Sequence, residues 1–279
     1  MVTLTPNDAT VSYATLHNWR IIPNSAKRKD ARLLVLSHGF GTDHRSWRLL
    51  LPDLLKHYDI AVYDLAGAGP NRVDNFDPDR HTSTSSYADD LLALIDEQGV
   101  TRCDILTHSV SGMVALIAAQ KRPDLFTRIF MIAPSPRYLN DDDYFGGFQP
   151  VDLSGLFAAM EGSYKSWANG FAPVIVGDEF PDFVLEFAAG LLEMPMPVAL
   201  QTAKFIFESD YRSILPDISV PTVVIQPRND LAVPVAVGEY LQAHLPHAEL
   251  HIIESHGHLP HLTVPQQVLH CLRPYLENK

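Results

Sequence analysis

The chain has only two cysteines, Cys103 and Cys271, far apart and outside any CxxC pair. A disulfide-stapled small fold and a cysteine-rich metal site are therefore not indicated, and the count suits a reducing compartment. Basic clusters are equally scarce. Net charge is −12 with histidines neutral, and the only basic run is Lys27-Arg28-Lys29. Nucleic acid and anionic membrane both require a concentrated positive surface, so neither is expected as a partner. No run approaches 18 apolar residues and the first 30 positions lack an apolar signal core, which predicts a soluble intracellular protein. There is no GxGxxG and no P-loop, so no cofactor is implied. A literal G-x-S-x-G is missing too.

What is present is a strong alternation. Short apolar runs at Arg32–Leu36, Asp59–Tyr63, Cys103–Leu106, Arg128–Ala133, Val220–Gln226 and Glu249–Ile253 read as buried strands. Helical spacings lie between them, over Ser46–Lys56, Ser85–Gln98, Gly112–Gln120, Val233–Leu245 and Pro265–Leu276. Ser12–Ile22 is compatible with a short edge strand, and Pro23–Asp30 with a polar turn. Alternation of this kind predicts an α/β fold, a mostly parallel sheet with helices on both faces. Ligands of such sheets sit beyond the carboxyl ends of the strands, where His38, Asp64 and Ser109 fall.

Residues 135–211 break the rhythm. They read as short helices interrupted by Pro150, Pro173, Pro181, Pro195 and Pro197, and they are rich in aromatics. From Tyr144 to Tyr211 lie 13 of the chain's 26 Phe, Tyr and Trp residues, a concentration that points to an apolar cavity under a helical cap. The expected organisation is a core of residues 1–134 and 212–279 with a cap insertion at 135–211.

The stretch Asp104 to Met113 organises the chemistry. A strand there runs into Thr107-His108-Ser109-Val110-Ser111 and then directly into an alanine-rich helix. A strand that turns into a helix at a serine is a nucleophile elbow, with the hydroxyl exposed at the end of the sheet. Serine needs a base, and the base needs an acid to fix its tautomer. Asp230 follows a late strand and His258 follows the last one, in the order Ser, Asp, His found in this architecture. His258 is preferred over His256 and His261 because Gly257 before it would let the loop approach the serine. Asp141, Asp142, Asp143 and Asp217 are rival acids of surface character, and Asp64 reads as a structural hydrogen-bonder. The oxyanion donors are expected at the N–H groups of Val110 and Phe40. His38 has no second metal ligand at suitable spacing, so no metal is assigned; such a histidine more often holds the loop.

With these residues placed, the chain resembles the plant strigolactone and karrikin receptors and their bacterial relative, the RsbQ stress regulator. The motifs are His38-Gly39-Phe40-Gly41-Thr42-Asp43, His108-Ser109-Val110-Ser111, Ser135-Pro136-Arg137-Tyr138-Leu139-Asn140-Asp141, Tyr144-Phe145-Gly146-Gly147-Phe148, Gly170-Phe171-Ala172-Pro173 and Gly257-His258-Leu259-Pro260. The resemblance runs from about residue 36 to the C-terminus. It implies an α/β-hydrolase fold with a four-helix cap over a pocket lined by His38, Phe40, Tyr138, Trp167, Phe171, Phe187, Ile206, Leu231 and Ala232. It further implies a monomer that slowly hydrolyses a small apolar butenolide or lactone, and whose cap then docks an F-box protein and a repressor. A plain carboxylesterase or lactonase, and a regulator acting by protein contact, share the same motifs. Thr107 stands where the family usually has Gly, and Gly112 where it has Ala.

Overall fold

The computed structural model describes residues 11–26 and 31–276; Lys27-Arg28-Lys29 and the end of the Pro23–Asp30 turn lie outside them. The strands are β1 (Arg20–Ile22), β2 (Arg32–Ser37), β3 (Tyr58–Val62), β4 (Cys103–His108), β5 (Phe126–Ile132), β6 (Thr222–Asn229) and β7 (Ala248–His256). They form one sheet in the order β1-β3-β2-β4-β5-β6-β7, parallel throughout except for the edge strand β1. The helices are α1 (Tyr13–Leu16), α2 (Leu51–Leu54), α3 (Thr84–Glu97), α4 (Ser111–Lys121), α5 (Pro150–Gly162), α6 (Tyr164–Val176), α7 (Pro181–Glu193), α8 (Met196–Phe207), α9 (Val235–His244), α10 (Pro260–Thr263) and α11 (Pro265–Leu276).

The strands are apolar on both faces because both faces are covered. Leu34, Leu36, Ile60, Val62, Leu106, Phe130 and Ile132 point to a core shared with Trp47, Leu50 and α11. Their alternating neighbours Val35, Ala61, Ile105, Ile129 and Met131 point to the opposite core, with α3, α4 and α9. Helix α4 is buried on every side from Ser111 to Ala119, so it carries no amphipathic stripe. Among the described residues, no single helix is long and apolar enough to cross a membrane.

Three local expectations change. The edge strand expected over Ser12–Ile22 is confined to β1, because Ser12 caps α1 and the Glu97 carboxylate accepts the N–H groups of Tyr13 and Ala14. The single helix expected over Ser46–Lys56 is a 3-10 turn (His44–Trp47) followed by α2, since Pro52 cannot donate within a continuous helix. Between β5 and β6 the chain forms α5 to α8. Pro150 and Pro181 open α5 and α7, and Pro197 lies in the first turn of α8, where a missing N–H costs nothing. Pro173 does not interrupt the chain as expected; it sits inside α6. Helices α7 and α8 meet at 106°.

Candidate active site

Ser109 occupies the abrupt junction of β4 and α4 with φ +56°, a left-handed conformation that a non-glycine residue adopts only under constraint. The flanking residues that break the literal motif are both absorbed by hydrogen bonds. Thr107 Oγ1 donates to the Phe130 carbonyl at 3.1 Å. Ser111 Oγ donates to the His38 carbonyl at 2.5 Å and accepts from Ser37 Oγ at 3.0 Å; Tyr63 OH then donates to Ser37 at 2.6 Å. This hydroxyl chain ties the start of α4 to the loop carrying Phe40. At Gly112 space is lacking: a Cβ would lie 2.8 Å from Pro134 Cβ and 3.2 Å from Met131 Sδ. Glycine there lets α4 press on the end of β5.

The three residues singled out from sequence meet beyond the strand ends, all buried. His258 Nε2 is 2.8 Å from Ser109 Oγ, and its Nδ1 is 2.7 Å from Asp230 Oδ2. Asp230 Oδ1 accepts the N–H groups of Ala232 (2.8 Å) and Val233 (3.0 Å), which locks the carboxylate's rotation. With the acid on Nδ1–H, Nε2 is left as the acceptor for the serine proton.

The loop bearing His258 is shaped by Gly257, at φ +81°. A Cβ there would lie 2.1 Å from the Val176 carbonyl oxygen. The glycine was expected to allow approach to the serine; the close neighbour is instead the C-terminal turn of α6. That turn also accepts the His258 N–H on the Ile175 carbonyl at 2.7 Å. Gly257→Ala should push the loop from α6 and lower hydrolysis by about 10²-fold through misplacement of His258. Initial rates alongside a thermal unfolding curve will test this; near-normal rates would contradict it.

The rival groups fall elsewhere. His256 is exposed and pairs with Glu179 at 2.9 Å. Asp141 to Asp143 and Asp217 are exposed, Asp141 pairing with Arg212 at 2.9 Å. Asp64 is fully buried and accepts from the His44 N–H (2.9 Å), His44 Nδ1 (2.8 Å) and Asn18 Nδ2 (3.0 Å). Burial alone would raise its carboxyl, but the His44 and Asn18 hydrogen bonds and the nearby His38 bring it down to about 2. Ligating atoms of Asp43, His44 and Asp64 come within 4.8 Å of one another, a grouping invisible in the sequence. Arg45 engages Asp43, and His44 and Asn18 engage Asp64.

His261 is buried behind the site, its ring 4.9 Å from Trp47 and 4.5 Å from His108. Burial first, then the neighbouring His258, Arg48 and His38, push His261 down to about 3. Burial, with His261 and His258 nearby, holds His108 well below its ordinary value. Both stay neutral in the fold over a range where the unfolded chain would protonate them. The unfolded state thus binds more protons below about pH 6.5, and stability falls as pH drops. Unfolding free energy should decrease by roughly 2–4 kcal/mol between pH 7 and pH 5, measured by urea titration. A flat profile would show that these rings are not held neutral.

The N–H groups of Phe40 and Val110 donate to no group among the described residues. Both lie beside the serine, Val110 directly after it. His38, expected both as a loop-holding residue and as a pocket residue, is not among the residues lining the cavity beside Ser109, though it lines a small neighbouring cavity with Phe40 and Val110. Its Nε2 accepts the Leu65 N–H at 3.0 Å and its Nδ1–H donates to the Gly39 carbonyl at 2.9 Å, so it holds the loop. Burial keeps it neutral, as that tautomer requires.

The cavity beside Ser109 and His258 has a volume of about 30 Å³. Phe40, Tyr138, Phe171, Phe187, Ile206 and Ala232 line it as expected, and so do Ile175 and Phe207, which the sequence reading missed. Tyr138 faces Ser109; burial, moderated by that serine, pushes its phenol up to about 12, so it remains a proton donor. Trp167 and Leu231 are corrections. Trp167 stacks between Tyr164 (5.5 Å) and Phe171 (4.9 Å) and faces a groove on the outside of α5 and α6. Leu231, 70% exposed, sits on the rim of that groove because Asp230 turns the chain outward before Ala232 returns.

The chain is similar in sequence and fold to known proteins. Residues 34–270 match the model of the alpha/beta hydrolase family. The chain is 42% identical to strigolactone esterase D14 of Arabidopsis thaliana over 243 residues, 87% of this chain and 91% of that protein. It is 40% identical to karrikin insensitive 2 receptor CA of Petunia hybrida over 264 residues, 94% and 96% of the two chains. Among solved structures, a hydrolase from Oleispira antarctica superposes with a TM-score of 0.91 at 32% identity, covering 96% of this chain and 97% of that one. The chain belongs to the alpha/beta hydrolase family, in the group that includes the strigolactone esterases and karrikin receptors.

Proposed function

We propose that the protein is a serine hydrolase that binds a small butenolide lactone and slowly cleaves it, acting as a receptor. The observation that carries this is the Ser109–His258–Asp230 relay opening into an aromatic-lined cavity, in a chain over 40% identical to a protein named for strigolactone esterase activity. Ser109 Oγ attacks the lactone or enol-ether-linked carbonyl as His258 Nε2 takes its proton. Asp230 holds His258 in the right tautomer and stabilises the imidazolium. The Val110 and Phe40 N–H groups receive the developing oxyanion. His258 then protonates the leaving oxygen and activates water on the acyl-serine, or takes the acyl ring fragment itself, the Nε2–acyl bond forming as the Ser109 Oγ–acyl bond breaks and Oγ regains a proton from water.

A cavity of this size would make turnover slow. About 30 Å³ is far below the roughly 300 Å³ or more that ligand sites span. Entry therefore requires residues 135–211, the cap, to move away from the core. A cap that rearranges on binding or turnover is the surface an F-box protein and a repressor would recognise, with the protein acting as a monomer in the cytoplasm or nucleus. The test is turnover of a fluorogenic butenolide probe, with mass spectrometry of the His258 peptide. Turnover with a ring-sized adduct on His258 is the expected result. Cleavage of simple acyl esters with no action on the butenolide would make the protein a plain carboxylesterase.

A further inference from the structure

The residue before the nucleophile plays no part in the relay, yet it touches the base. His108 is the last residue of β4, and its ring points away from the cavity, to the face of the sheet that holds Trp47 and His261. Its Nε2 lies 2.8 Å from the backbone carbonyl oxygen of His258, and the two rings are 4.9 Å apart. A carbonyl only accepts, so Nε2 carries the hydrogen. Nδ1 is then bare, and among the described residues it has no partner. Gly39 makes room for it: a Cβ there would lie 2.4 Å from Nδ1. The His258 N–H is taken from the other side by the Ile175 carbonyl at 2.7 Å.

Resting on the assignment of Ser109 and His258 above, we propose that His108 is a positioning residue for the reaction, whose Nε2–H fixes the backbone of the general base relative to the nucleophile next to it. His258 is gripped at both backbone polar atoms, by α6 on its N–H and by His108 on its carbonyl. Because His108 and Ser109 are consecutive, this one side chain ties the nucleophile to the base through a short path. That matters for a proton transfer that tolerates little displacement. The neutral form of His108 is part of the arrangement. A proton on Nδ1 would be a buried donor with no acceptor, and it would set a second positive charge beside His258 as His258 becomes an imidazolium.

The test compares side chains of the same chemistry and different reach. The His108→Gln amide nitrogen lies as many bonds from Cβ as imidazole Nε2 does, and should still bond the His258 carbonyl. The His108→Asn amide ends one bond short, and His108→Leu has no donor. On an ester or butenolide probe, His108→Gln should stay within about threefold of the parent kcat. His108→Asn and His108→Leu should lose about 10–100-fold in kcat with KM within about twofold. Equal losses for Gln and Asn, or a loss carried by KM, would overturn the proposal. Two-bond ¹H–¹⁵N correlation on the unmutated protein gives a reading that needs no variant: an Nε2–H tautomer at His108 is expected, and Nδ1–H would overturn it. Ser109→Ala separates the two ideas. If that variant hydrolyses normally, the assignment of the nucleophile fails; if it is inactive while His108→Leu keeps its kcat, only the positioning role fails.

Discussion

Ser109→Ala should abolish serine-dependent hydrolysis, lowering kcat by at least about 10³-fold, while leaving the fold intact. Among the described residues the Ser109 hydroxyl is the group hydrogen-bonded to His258 Nε2, at 2.8 Å, so no neighbour substitutes for it. Ser111, the other serine of the elbow, has its Oγ bound to the His38 carbonyl. Alanine retains the Cβ and accepts φ +56° at the same cost as serine, so the unfolding midpoint should move by no more than a surface substitution would cause, about 0.5 kcal/mol. Ligand-induced thermal shift should survive, because the cavity walls are untouched. Measured kcat above a tenth of the parent value would remove Ser109 from the mechanism.

Asp230→Asn should cost about 10³–10⁴-fold in kcat, and its direction follows from hydrogen-bond accounting. The carboxylate accepts on both oxygens: Oδ1 from the Ala232 and Val233 N–H groups, Oδ2 from His258 Nδ1. An asparagine has one acceptor and one donor end. Two backbone N–H groups cannot be answered by an NH₂, so the carbonyl end must face Ala232 and Val233. The amide nitrogen is then forced toward His258 Nδ1, which must become an acceptor, and the imidazole proton moves to Nε2. Nε2 no longer accepts from Ser109 and the base is lost, although every heavy atom stays in place. Asp230 does not line the cavity, so ligand affinity should change little. A variant with normal kcat, or one that loses affinity rather than rate, would contradict this account.

How much of this was legible beforehand varies by feature. The strands of the sheet were plain as short apolar runs, because a strand covered on both faces needs apolar residues at every position. Ser109, Asp230 and His258 could be picked out because each follows a strand, and chain order alone places them at one end of a parallel sheet. The cavity wall was less legible. Trp167, Phe171 and Ile175 form a stripe spaced by four residues, of which the resemblance assigned Trp167 and Phe171, but not Ile175, to the pocket. Four residues advance a helix by about 400°, so the stripe drifts by about 40° per step; Phe171 and Ile175 still reach the cavity while Trp167 has turned to the outer groove.

By itself, the sequence determined the parallel α/β sheet, the elbow, the order of the three reacting residues and the aromatic character of the inserted helices. All of these follow from local pattern and chain direction. The tertiary structure alone decided what no local pattern encodes. It put α6, not the serine, against Gly257, and left about 30 Å³ beside Ser109. It turned Leu231 outward and bound His38 to the backbone of two loops. It also laid His108 against the carbonyl of a residue 150 positions away. Each of these depends on how close two remote backbones come. That distance is set by the packing of both cores and by the glycines that permit contact, and no spacing along the chain records it.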